Sequence, residues 1–175
     1  MNSKNKNLLK KVAPFVIVLL LFVSIFAIRA ETVNIGGVQN ESVKELYRDD
    51  SGLPYFTEID SYYNYRLTEN YLKTGHLGDT QINGTDWDSL STSPNGREAD
   101  YQPVIVVLTA TVYKFLNMFS SVSLMQVAYW IGSFVGTLAL IPAYFIVRRA
   151  TKNEWGAIVA GVIAAAAPAY FIHTY

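Results

Sequence analysis

The chain has no cysteine. Disulfide frameworks, Cys-ligated zinc and thiol nucleophiles are excluded with it. Histidine is scarce as well: His76 and His173 are the only two, which argues against a multi-His metal site. Net charge is also lacking. Fourteen Lys+Arg balance fourteen Asp+Glu, whereas a nucleic-acid binder carries a basic patch or a domain pI above about 9; no nucleic-acid partner is expected. No P-loop, G-x-G-x-x-G, G-x-S-x-G or H-E-x-x-H pattern occurs, so none of the phosphate cradles, nucleophile elbows or zinc helices built on them is signalled. The 175 residues suit about one domain. The apolar fraction of 51% is ordinary on average, so its distribution decides the class.

That distribution is uneven. Residues 1–11 carry four lysines and no acid. Residues 12–28 and 115–147 carry no charge, whereas residues 30–102 hold thirteen of the fourteen acids against five bases. Arg148, Arg149 and Lys152 follow, with Glu154, before an uncharged end. The balance therefore consists of basic ends on apolar spans and one acidic polar loop, the pattern of a multi-pass cell-membrane protein. A helix crosses the hydrocarbon with roughly 20 apolar residues. Residues 12–30 fit; a signal peptide is the other reading, but the run is long and lacks a small-x-small cleavage site, which favours a retained anchor. Residues 122–147 and 155–174 supply two further spans, the last rich in the small residues that let helices pack closely in lipid.

Residues 103–117 are too short to span easily and carry Lys114. Basic residues prefer the cytoplasmic side. If residues 1–11 are cytoplasmic and 103–117 crossed, the basic stretch 148–154 would fall outside. The charge bias instead places 103–117 against the membrane, 31–121 as an extracellular loop and 148–154 as a cytoplasmic turn. The expected fold class is an all-α membrane protein of about three transmembrane helices with a large, helix-containing external first loop.

That loop is too aromatic for a tether. Residues 61–74 predict a helix stopped by Gly75, with Tyr63, Leu67 and Tyr71 on one face for packing against the interface or a neighbouring helix. Residues 77–98 are turn-formers and read as irregular surface loop. Asn40-Glu41-Ser42 and Asn83-Gly84-Thr85 are two sequons of weak signal. Asp60 precedes the helix, where a carboxylate serves as an N-cap or, with partners, as a ligand for a hard cation. Asp86 and Asp88, flanking Trp87, read as solvated turn acids rather than as a metal pair. His76 is expected to be exposed, and His173 to lie at the external membrane face.

From about Lys10 to Tyr175 the order of elements resembles the N-terminal part of oligosaccharyltransferase catalytic subunits, most of all the archaeal branch. These are glycosyltransferases of the GT-C fold. The residues that carry the resemblance are Asp60, Tyr62, Tyr63, Arg66, Glu69 and Asn70 in D-S-Y-Y-N-Y-R-L-T-E-N, the stretch YQPVIVVLTATVYKFL, the run LALIPAYFIVRRATKNEWG, and Pro168, Tyr170, His173 and Thr174 in APAYFIHTY. His173 stands where the family usually has Arg, which weakens a charge role there.

The resemblance implies transfer of an oligosaccharide from a lipid-linked donor to Asn of an acceptor polypeptide bearing N-x-S/T. It makes Asp60 the first catalytic, metal-binding acid, with Mg or Mn as cofactor. It sets Tyr62, Tyr63, Arg66 and His173 as candidate substrate-binding residues, and membrane lipid as the surroundings. The family's later acidic motifs and acceptor-recognising W-W-D motif do not occur, so the chain is expected to be a fragment, inactive alone. Two other readings stay open: a different GT-C transferase using protein O-mannosyl or lipid-sugar chemistry, and a non-enzymatic membrane module whose acidic loop binds a partner.

Overall fold

The computed structural model describes residues 3–99 and 104–166. Among the described residues seven α-helices, two short 3-10 turns and three strands follow one another. The α-helices and strands are α1 (Ser3–Ala30), α2 (Glu41–Lys44), α3 (Ile59–Thr74), β1 (Thr80–Ile82), β2 (Thr85–Asp88), β3 (Arg97–Glu98), α4 (Val104–Asn117), α5 (Leu124–Leu138), α6 (Leu140–Thr151) and α7 (Glu154–Ala166). They form two compact units, residues 1–54 with 132–175 and residues 55–131.

The first unit is built on apolar helices. Lys11–Asn34, and Leu124–Thr151, of which the residues from 132 on belong to this unit, are long and apolar enough to cross a membrane, by length and composition. Phe15, Leu19, Leu20 and Val23 of α1 are exposed, an outward apolar face that water would penalise and hydrocarbon would not. Val18, Ile25, Leu140, Tyr144, Ala157 and Ala165 form the buried core. A Cβ at Gly161 would stand 2.5 Å from Leu140 Cδ1, so the missing side chain is what lets α7 lie close on α6. The helix carries Arg148 and Arg149 on to Thr151, which narrows the turn expected over 148–154 to two residues. Lys152 is left-handed and its N–H closes on the Arg148 carbonyl, ending α6. The Asn153 side chain accepts from the Gly156 N–H at 3.1 Å and so caps the start of α7. Its thirteen described residues are fewer than a span needs, and the rest of the segment expected over 155–174 lies outside the described residues, from residue 167 on.

The second unit packs α3 on α4. Leu67, Leu77, Ala99 and Val106 are buried together, with Tyr63, Tyr71 and Ile105 against them. The face of Tyr63, Leu67 and Tyr71 is therefore a packing face. Residues 77–98 correct two expectations, the irregular loop over this stretch and the all-α class of the chain. It holds an antiparallel sheet of order β1-β2-β3, with Thr80 opposite Trp87 and Ile82 opposite Thr85. Its first turn is Asn83-Gly84, at φ 55° and 81°, the left-handed pair that a two-residue hairpin demands and that Asn-Gly supplies at low cost.

Candidate functional site

Helix α3 carries Asp60, Tyr62, Tyr63 and Arg66, all within the second unit. Glu58, not Asp60, occupies the cap position, in extended conformation and without a side-chain cap bond. Asp60 is one residue inside the helix, in its first turn. There it still meets the partial positive charge of the helix end. It is exposed, and its carboxylate has no hydrogen-bond or ion-pair partner among the described residues.

The other residues of the motif each meet a partner within the fold. Tyr62 packs edge-on against Phe56, ring centroids 5.1 Å apart, and the buried Phe56 in turn stacks on Tyr129. Two guanidinium groups lie over the Tyr63 ring, Arg66 at 5.7 Å and Arg97 at 5.6 Å from its centroid. Arg66 donates to the Asp88 carboxylate at 2.5 Å. Asn70 donates to the Leu77 carbonyl at 3.0 Å, and Glu69 pairs with Lys73 at 2.9 Å. Arg66 and Asn70 thus tie α3 to the sheet and to the loop before it, whereas the exposed Asp60 has no partner among the described residues. His173 lies outside the described residues.

The acids flanking Trp87 are not solvated turn acids. Alternation along β2 places Asp86 and Asp88 on one face. Asp88 is 2% exposed and accepts from Arg66, the Ser91 hydroxyl and the Leu90 N–H. Asp86 accepts from Gln81 Nε2 and the Leu77 N–H and pairs with His76. The Gln81 bond, helped by the Leu77 N–H and His76, holds the Asp86 carboxyl below its ordinary value. Bonds from the Ser89 hydroxyl and N–H do the same for Asp79. These acids fasten the sheet.

Residues 25–175 match the family described as oligosaccharyl transferase STT3, N-terminal. The chain belongs to this family. Within the STT3 family it is similar to the dolichyl-phosphooligosaccharide-protein glycotransferase of Methanococcus voltae, 37% identical over 164 residues. The glycotransferase of the same name from Methanocaldococcus jannaschii is 34% identical over 166 residues. Each alignment covers 91% of this chain and 18% of the relative, so the chain spans about a fifth of the length of either. No solved structure matches.

A hard divalent cation takes about six oxygen ligands. Among the described residues no group of three or more His, Asp or Glu side chains gathers to supply them. Asp60 offers one carboxylate, so these residues do not form a metal site by themselves.

Sequence reasoning missed Arg29. It is fully buried at the end of α1 and donates to the Ala165 carbonyl of α7 at 2.8 Å. The guanidinium lies against Gly136, where a Cβ would come within 3.2–3.3 Å of it. A cation closing an apolar run, opposite a Gly on another helix, was the only signal. It makes Arg29 a tie between helices of the first unit.

Proposed function

We propose that a protein carrying this chain is a membrane oligosaccharyltransferase. It moves an oligosaccharide from a lipid-linked donor to the side-chain amide of Asn in N-x-S/T of an acceptor polypeptide. The observation that carries the reading is Asp60. In a motif whose Arg66, Glu69 and Asn70 are each bonded within the fold, its carboxylate is exposed and has no partner among the described residues. Membership of the STT3 family and the names of the two relatives support it.

In this reading Asp60 contributes one oxygen ligand to a Mg or Mn ion whose other ligands lie beyond these residues. Tyr62 and Tyr63 border the donor or acceptor. Arg66 holds α3 in place through Asp88, with its outer N–H groups facing substrate. His173 adds a polar group at the external end of the third span. The two long apolar helices and the third segment over 155–174 span the membrane. The basic ends are cytoplasmic, and 31–121 is extracellular with α4 lying against the lipid.

The test is a chimera in which this chain replaces the corresponding part of the Methanococcus voltae relative. Membranes carrying it should transfer glycan from a lipid-linked donor to a fluorescent N-x-T peptide, and not to its Asn→Gln counterpart. Asp60→Ala should lower the rate by about 100-fold or more, as loss of groups at a metal or charge-stabilising site does. An Asp60→Ala chimera that works as fast as its parent would overturn the assignment.

A further inference from the structure

At the far end of the α6–α7 pair is a cleft of about 470 Å³ lined by Phe145, Arg148, Arg149, Lys152 and Glu154. Three cations face one acid. Arg148 spends its Nε–H on Glu154 at 2.9 Å, and Glu154 also accepts from the Tyr144 hydroxyl. That leaves the four terminal N–H groups of Arg148 for another acceptor. Arg149 and Lys152 are exposed and have no ion-pair partner among the described residues. The net charge of the lining is therefore positive, and its donors converge from a helix end and the tight turn after it.

The surroundings indicate which anion fits. Phe145 forms an apolar wall of the cleft. Ile146, 65% exposed, follows Phe145 on α6, and Trp155, 77% exposed, follows Glu154 in the first turn of α7. Exposed Trp at the end of an apolar helix is characteristic of the headgroup level of a bilayer, and basic pockets between spans on one side of a membrane take lipid phosphates.

We propose that this cleft binds the phosphate of an anionic membrane phospholipid, with Arg148, Arg149 and Lys152 on the headgroup and Phe145 against the start of an acyl chain. The inference goes beyond glycosyl transfer and rests only on the membrane embedding of these helices. It is therefore tested by binding and not by activity.

The test titrates the purified chain in detergent with short-chain phosphatidylglycerol or phosphatidylcholine, counting bound lipid by native mass spectrometry. Phosphatidylglycerol should bind at least about tenfold more tightly, and added salt should weaken it. Arg149→Ala with Lys152→Asn should weaken it by about 10–30-fold; Asn is chosen because it tolerates the left-handed backbone at residue 152. Glu154→Gln keeps a partner for Tyr144, removes the competing charge and should tighten binding a few-fold. This opposite sign keeps the test meaningful if the double variant misfolds. Equal binding of both lipids, or no change in either variant, would overturn the proposal. Displacement of the lipid by millimolar inorganic phosphate would also overturn it, by assigning the site to a soluble anion.

Discussion

Two carboxylates twenty-eight positions apart show how little residue type alone decides. Asp88 is buried and holds Arg66. Removing it strands a guanidinium that is itself only 27% exposed. Breaking such a pair costs about 3 kcal/mol, so Asp88→Ala should loosen α3 from the sheet, seen as faster amide exchange over residues 77–99. Asp60 is exposed and unpaired among the described residues. Asp60→Asn should therefore change stability by no more than about 0.5 kcal/mol, checked by thermal unfolding in detergent. A large loss of stability would recast Asp60 as a structural residue. Neither role was visible in sequence. Asp86-Trp87-Asp88 has the same local chemistry whether its acids face water or an arginine, and the choice is made by Arg66, twenty-two residues before Asp88.

The α3 helix was legible as an element because its signals are local. The Tyr63, Leu67 and Tyr71 spacing marks one face, and Gly75 stops it at φ 80°. The sheet was overlooked although its clearest signal was present. Thr80–Ile82 and Thr85–Asp88 flank Asn83-Gly84, the strongest short hairpin cue, yet the abundance of turn-formers around it masked strands of only two to four residues. Gly84→Val puts a β-branched residue at φ 81° and should cost the hairpin about 1–3 kcal/mol, read as lost exchange protection over 80–88.

The sheet's acids add a pH response. Asp79 and Asp86 have folded values below the ordinary 3.8. Their contribution to stability is complete above about pH 4 and fades as pH falls through the lowered folded values. Fluorescence of Trp87, followed in a Trp130→Phe/Trp155→Phe background, should hold from pH 7 to about 4 and change below it.

At the scale of the molecule, close helix packing makes one further prediction. Leu140 is fully buried against Gly161. Gly161→Leu should lower stability by about 1–3 kcal/mol, as overpacking does, and Leu140→Ala should relieve part of the loss. If the two effects simply add in thermal unfolding, α6 and α7 do not meet there. The sequence by itself determined the class. A charge-free run, its flanking cations and its length follow from the cost of putting charge into hydrocarbon, and that cost acts on local stretches of chain. It also carried the family, through the order of elements, the motif within α3 and three further stretches. Only the tertiary structure decided what each polar residue in that motif does. It bonded Arg66 and Asn70 within the fold, left Asp60 exposed, buried Arg29 against Gly136, and drew three cations into one cleft around Glu154. These outcomes depend on partners distant in sequence or on how two helices meet, and a buried charge is tolerated only where its partner arrives from elsewhere in the fold.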